Sequence, residues 1–258
     1  MTALLERALV PRSAGTLLHA CDAASVGRVA AAIVTEFVRA NPCGVLGVAT
    51  GSSPEPVYEQ LARARADGLR TEGLTLVALD EYVGLDESDP RGYRAYVLER
   101  IAGPLGIDPA RVLVPETARL GAEDAAREHE RRLVELGGAG LQLAGIGSNG
   151  HLGFNEPGAP LNGRTRVVEL AASTRRDNAR YFGGDPDRVP SRAVTQGIGT
   201  ILDAGHVLLL ARGAGKAGAL RAALTGAVDP RLPASALQRH PRVSVVADHA
   251  ALGRPLEN

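Results

Sequence analysis

The chain has 258 residues, 29 basic and 29 acidic side chains, a formal net charge of zero and 45% hydrophobic residues. That length fits one large α/β domain or two small ones, and the apolar content allows a sizeable core. The charge balance argues against a general nucleic-acid surface or a polybasic membrane patch, and no apolar run reaches the ~18 residues of a membrane span.

Aromatic residues make up 3% and Trp is absent, so the core is expected to be Ala, Val, Leu and Ile. Cys21 and Cys43 lack metal-ligand spacing and are expected as buried thiols in a reducing compartment, not a disulfide. The first twenty residues have no charged start followed by an apolar core and a cleavage site. A soluble, cytoplasmic protein is the default expectation.

In chain order, Thr16 to Cys21 reads as a first strand. Asp22 or Ser25 caps a helix carrying Val26, Val29, Ala30, Ile33, Val34 and Phe37 at helical spacing, ended by Asn41-Pro42. Val45 to Ala49 is a short buried strand that runs into Thr50-Gly51-Ser52-Ser53-Pro54, and a helix starts near Pro54 and runs toward Asp67. A strand, a turn of Gly and hydroxyls, and a helix N-terminus form a phosphate cradle, or else an ordinary capped turn. Leu74 to Leu79 is the next strand. It ends in Asp80-Glu81-Tyr82, two carboxylates that are expensive to bury without a role and are otherwise a helix cap or surface turn.

Pro90 to Ile101 reads as helix, Val112 to Val114 as strand, and Glu123 to Leu136 as helix with His129 exposed. Leu141 to Ala144 ends a buried strand and opens GIGSNGHLGFNEP, residues 145–157. In this loop the glycines let the backbone approach a ligand closely. His151 and Glu156 can move protons, and Asn149 and Asn155 can orient hydroxyls. Gly145, Gly147 and Gly150 also fit a dinucleotide fingerprint, but that motif needs a helix at its third glycine. Gly153, Pro157, Gly158 and Pro160 rule one out.

Beyond the loop, Arg164 to Leu170 alternates as a strand. Ser173 to Tyr181 reads as a helix bearing Arg175, Arg176 and Arg180, and Ala193 to Gln196 as a short strand. His206 to Ala211 is a strong apolar strand, with His206 read as structural. Gly213-Ala214-Gly215-Lys216 starts another helix and is not a P-loop, because Leu210 and Ala217 stand where Gly and Ser/Thr would be needed. Lys216 can still neutralise a phosphate as a point charge. Val243 to Ala247 is the last strand. This alternation argues for a single-domain, doubly wound, mostly parallel sheet of Rossmann-like type with helices on both faces.

Three segments, TGSSP (50–54), LDEYVGL (79–85) and GIGSNGHLGFNEP (145–157), in this order and spacing, resemble the glucosamine-6-phosphate deaminase (isomerase) family. TRRDNARYF (174–182) and the Gly213–Lys216 turn extend the resemblance over nearly the whole chain. The resemblance implies conversion of D-glucosamine 6-phosphate and water to D-fructose 6-phosphate and ammonia, with no metal or organic cofactor. It implies Asp80 as the base over C2, and His151 with Glu156 and Asn149 for ring opening. It implies Thr50, Gly51, Ser52, Ser53, Arg180 and Lys216 as phosphate ligands, with Arg175 and Arg176 as neighbours that could replace Arg180.

Two departures matter. Some members carry Asp where Asn149 stands, and allosteric hexameric members carry Ser and Lys where this chain has Ala159 and Val168, leaving only Arg166 of that effector set. Loss of activation by N-acetylglucosamine 6-phosphate is expected, as is a monomer or small homo-oligomer. Three rivals stand beside this reading: a 6-phosphogluconolactonase, a non-enzymatic phosphosugar sensor, and a deaminase for galactosamine 6-phosphate.

Overall fold

A computed structural model describes residues 7–9 and 15–253. Strand β1 (Arg7–Leu9) and strand β2 (Thr16–Cys21) precede helix α1 (Val26–Ala40), whose Val26, Ala30, Val34 and Val38 are buried at helical spacing. Asp22 accepts from the backbone N–H and the hydroxyl of Ser25, so it shapes the turn, and Ser25 takes the cap position without a capping bond. Strand β3 (Val45–Val48) leads through the 50–53 turn into α2 (Glu55–Ala66), with Pro54 at the cap.

Strand β4 (Thr75–Ala78) is followed almost at once by a strand that composition does not signal, β5 (Asp80–Tyr82). The helix expected from Pro90 begins only at Tyr93: α3 (Tyr93–Val97), a π-helical turn over Leu98–Ala102, then α4 (Gly103–Leu105). Its start is fixed by the Glu81 carboxylate, which accepts from the N–H groups of Tyr93 and Arg94 at 2.9 and 2.8 Å. Pro104 supplies no N–H to the α ladder, which widens just ahead of it.

The chain continues with β6 (Val112–Leu113), α5 (Thr117–Leu120), α6 (Ala122–Glu135), β7 (Leu141–Gly145) and β8 (Arg166–Glu169). Then come α7 (Ala172–Asn178), β9 (Arg192–Thr195), α8 (Ile198–Leu202), β10 (Val207–Ala211), α9 (Ala217–Thr225) and β11 (Val243–Asp248). Nothing in the sequence reading anticipated β1 or α8.

The main sheet runs β1-β2-β11-β10-β7-β3-β4-β6, and only the β1–β2 pair is antiparallel. Every residue of β4, β10 and β11 is buried, as parallel strands covered on both faces require. Leu46, Val48 and Leu76 pack in one core with α1 and α2, and Val77 and Leu113 pack with Leu133 of α6 in another. Side chains alternate across a strand, so these clusters lie on opposite faces. From β3 the chain winds outward through β4 to β6, then crosses back to β7 and winds the other way. The β3/β7 boundary is therefore the topological switch point, where open α/β sheets place their ligands.

A second, antiparallel sheet, β5-β9-β8, stands beyond the end of β4 and was not foreseen. It forms because the chain leaving β4 pairs at Asp80 with Thr195 instead of turning to solvent. Tyr82, Phe154 and Phe182 form its own small core.

Two expectations are corrected. His129 is buried, not exposed: its Nε2 lies 3.1 Å from the Ala78 carbonyl, and burial pushes its pKa down to about 4. Cys43 is exposed because the loop after α1 lies outside the core, and Cys21, the last residue of β2, is only half-buried; both are free thiols. His206 is buried against the Ser244 hydroxyl at 3.0 Å, consistent with a structural role. Among the described residues no helix is long and apolar enough to cross a membrane.

Candidate active site

The carboxyl ends of β4, β3, β7 and β10, four adjacent strands, carry nearly all the residues singled out by sequence. Asp80 follows β4, Thr50 to Ser53 follow β3, Asn149 to Glu156 follow β7, and Lys216 follows β10. At about 4.8 Å per strand these ends span roughly 14 Å, comparable to an extended sugar phosphate and its ligands.

The loop after β7 is a compact turn. Gly147 N–H donates to the His151 carbonyl, Gly150 N–H donates to the Gly147 carbonyl, and Ile146 bridges Leu152. Asn149 organises its centre: Oδ1 accepts from His151 N–H at 3.2 Å and Nδ2 donates to Glu156 Oε2 at 2.8 Å. Glu156 also accepts from the Thr174 hydroxyl. His151 Nδ1 lies 3.6 Å from Glu156 Oε2, close for a charge contact but long for a hydrogen bond. Half-burial pushes the Glu156 carboxyl up. Its contacts with His151, Thr174 and Asn149 outweigh that and hold it at about 2. A carboxylate ionised at every working pH therefore stands beside the imidazole.

Asn155 does not face a ligand. It is fully buried, with Nδ2 donating to the Leu152 and Gln196 carbonyls at 2.9 and 2.7 Å and Oδ1 accepting from Arg166 at 2.9 Å. It fixes the loop instead of orienting a hydroxyl, which corrects the sequence reading.

The Asp80-Glu81 pair divides. Glu81 is the helix-capping carboxylate already described. Asp80 is 6% exposed and accepts no hydrogen bond from a helix. Burial, with Glu81 beside it, pushes its pKa up to about 8. The Asp80 carboxylate meets the β7 loop at Gly153. A Cβ at that position, which has φ +54°, would lie 3.1 Å from Asp80 Oδ2 and 3.0 Å from Thr195 Oγ1. The Thr195 hydroxyl accepts from Phe154 N–H at 3.2 Å, which ties β9 to the same point. Asp80 thus packs against the loop that carries His151.

The 50–53 turn is linked to Asp80 through Tyr93. The Tyr93 hydroxyl lies 3.3 Å from the Tyr82 hydroxyl, which in turn accepts from Asn178 Nδ2 at 2.9 Å, and Thr50 and Asp80 both act on the Tyr93 phenol. Burial raises Tyr93 well above the usual tyrosine range, and the Asp80 carboxylate adds to this, so the hydroxyl stays a donor. Asn178 is two residues from Arg180. The Arg180 guanidinium stacks on the Tyr181 ring, 4.8 Å from its centroid. Lys216 is half-buried; burial lowers its pKa, while Asp177 opposes and Arg180 adds to that shift. Arg180 and Lys216 therefore share one electrostatic neighbourhood. Arg175 donates to the Pro186 carbonyl at 2.8 Å and pairs with Asp187 at 3.2 Å, so it is committed elsewhere. That removes it as a substitute for Arg180.

Sequence reasoning missed Tyr93, Thr174 and Thr195. Thr174 opens the TRRDNARYF segment, but nothing in its spacing points to Glu156. Thr195 comes from a strand whose pairing with β5 was not foreseen, and Tyr93 from a helix whose docking on Glu81 was not.

Fold and site together define an α/β protein with a glycine-rich His/Glu loop and a buried carboxylate at the switch point of a parallel sheet. The chain belongs to the family described as glucosamine-6-phosphate isomerases/6-phosphogluconolactonase, whose model matches residues 20–246. It is 45% identical over 234 residues to glucosamine-6-phosphate deaminase of Streptomyces coelicolor, covering 90% of each chain. It is 46% identical over 226 residues to that of Pseudarthrobacter chlorophenolicus, covering 88% of this chain and 87% of the relative. A monomeric glucosamine-6-phosphate deaminase superposes with a TM-score of 0.86 at 38% identity, over 92% of this chain and 99% of that one. The 6-phosphogluconolactonase of Leishmania guyanensis superposes at 0.71 with 20% identity, over 93% and 98%, and shares the fold.

A prediction follows from the packing of the loop. A Cβ on Gly147 would lie 2.4–2.5 Å from three atoms of the His151 ring. Gly147→Ala is expected to swing the imidazole away from Glu156 and cut turnover on the order of 10²-fold, the usual scale for an ångström of misplacement. The melting temperature should change little, because the His151 side chain is 25% exposed and lies outside the hydrophobic core. Steady-state kinetics beside a thermal melt checks both.

Proposed function

We propose that this chain isomerises and deaminates D-glucosamine 6-phosphate to D-fructose 6-phosphate and ammonia. The observation that carries the reading is the approach of the Asp80 carboxylate to the His151 loop at Gly153. Two acid–base groups carried by different strands would then serve the two adjacent reacting carbons. The family membership and the names of the relatives support the choice of substrate.

Ring opening takes a proton from the C1 hydroxyl and returns one to the ring oxygen. His151 performs both transfers, with the Glu156 carboxylate stabilising the imidazolium and Asn149 holding the two together. In the open chain the C2 proton is α to the C1 carbonyl. Asp80 removes it and delivers it to C1, and the enolamine formed at C2 becomes an imine that water converts to the ketone with loss of ammonia. A pKa near 8 makes Asp80 a far stronger base than an exposed carboxylate. The phosphate is the handle: Thr50, Gly51, Ser52 and Ser53 offer backbone and hydroxyl donors, and Arg180 and Lys216 supply the charge. The chain works as one domain, as a monomer or small homo-oligomer, in the cytoplasm.

Coupled detection of ammonia from glucosamine 6-phosphate, beside galactosamine 6-phosphate and 6-phosphogluconolactone, tests the reading. Ammonia from the glucosamine ester supports it; lactone hydrolysis alone refutes it. N-acetylglucosamine 6-phosphate is expected to leave the substrate curve hyperbolic and unshifted, because Ala159 and Val168 offer neither hydroxyl nor cation and Arg166 is held by Asn155. A sigmoidal curve that becomes hyperbolic on adding this compound would contradict that expectation.

A further inference from the structure

We propose that Arg212 is a further substrate-binding residue, a third cation on the phosphate; this rests on the phosphosugar reading above. Arg212 is the first residue past β10, and its Nη1 donates to the Ser52 carbonyl at 3.3 Å. β10 and β3 are not neighbours; β7 lies between them. A side chain that reaches from the end of β10 to the turn after β3 must cross the mouth of β7, which is the switch-point crevice itself.

Its base is fixed. Gly213 N–H donates to both carboxylate oxygens of Asp248, at 3.1 and 3.0 Å, and Asp248 also accepts from Ala251 N–H at 2.7 Å. Asp248 is buried at the end of β11, so the backbone beneath Arg212 is anchored to the sheet. Among the described residues no carboxylate lies within ion-pair distance of Arg212 (its one hydrogen-bond partner is the Ser52 carbonyl). A guanidinium has five N–H donors in a rigid fork. One holds the carbonyl of the turn, and the others are left for an anion cradled by that turn. Lys216 sits four residues further along the same segment, and Arg180 is its electrostatic neighbour. A dianion at Thr50–Ser53 would then be met by the Arg212 fork as well as by Lys216 and Arg180.

The test uses Arg212→Ala and Arg212→Lys in the full chain, with inorganic phosphate and fructose 6-phosphate as probes. For Arg212→Ala, KM for glucosamine 6-phosphate and the inhibition constants of both probes are expected to rise together by about tenfold, the scale of one charge-assisted hydrogen bond at a partly exposed site. The kcat should stay within about twofold, and the melting temperature should hold. Arg212→Lys should fall between the two, since an ammonium keeps the charge but cannot hold the carbonyl and the phosphate at once. Unchanged phosphate inhibition in Arg212→Ala overturns the assignment, as does a loss confined to kcat. Ammonia release by the wild-type protein reports separately on the underlying reading: release with unaltered probe affinities sinks Arg212 alone, and no release sinks both.

Discussion

Asp80→Asn is expected to bind glucosamine 6-phosphate with near-normal affinity and to turn it over at least 10³-fold more slowly. General bases contribute about 10²–10⁴-fold, and no second carboxylate is free to replace this one, because both oxygens of Glu81 are occupied by the N–H groups of Tyr82, Tyr93 and Arg94. The wild-type pH profile should carry the signature of burial. Asp80 must lose its proton to act, so kcat/KM should climb with pH through a limb centred near 8, well above the usual range of an aspartate.

Stability should move the opposite way. A carboxyl whose folded pKa exceeds its unfolded value binds its proton more tightly in the native state, so its contribution falls as pH rises from about 4 to about 8. Asparagine has no charge to bury. Asp80→Asn should therefore melt above wild type, with a margin that widens across that window. Calorimetry at pH 5 and pH 8 measures it; a variant that melts lower at both would show the carboxylate to be structural.

His151→Gln is the second large effect. Glutamine fills similar space and can donate to Glu156, but it cannot pass a proton from the C1 hydroxyl to the ring oxygen. Turnover should drop by about 10²–10⁴-fold, with phosphosugar affinity preserved because the phosphate ligands lie on other strands. The defect should be confined to ring opening, so adding the variant should no longer speed interconversion of the substrate's α and β anomers. Line-shape or saturation-transfer NMR of the anomeric protons reads this directly. Rapid anomer exchange in His151→Gln would mean that another group opens the ring.

The strands that carry the site were legible, though not their order, because each of its loops follows a short apolar run that reads as a buried strand. Val45, Leu74, Leu141 and His206 mark those runs in the sequence, and their ends became neighbours in the sheet. The antiparallel sheet was not legible. β5 is three residues long and reads Asp-Glu-Tyr, a composition that favours turns. Only pairing with Thr195 and Val194, over a hundred residues away, makes it a strand. The same long-range pairing hid Thr195 from the sequence reading and brought it to Asp80, while Tyr93 is held nearby by the Glu81 cap on α3.

His129 failed for a related reason. Its neighbours Glu128, Glu130, Arg131 and Arg132 suggest a solvated face, yet its ring turns inward to the Ala78 carbonyl just before Asp80. Asn155 shows the reverse case: a polar residue in the central loop that the fold uses up entirely in holding the loop together.

The division of labour between Asp80 and His151 is tested most directly by one NMR experiment on Asp80→Asn with glucosamine 6-phosphate in D2O. The variant should still catalyse interconversion of the two anomers, while the proton on C2 persists and no ammonia forms. Loss of that C2 proton at the wild-type rate would show that the carboxylate at the end of β4 is not the group that removes it.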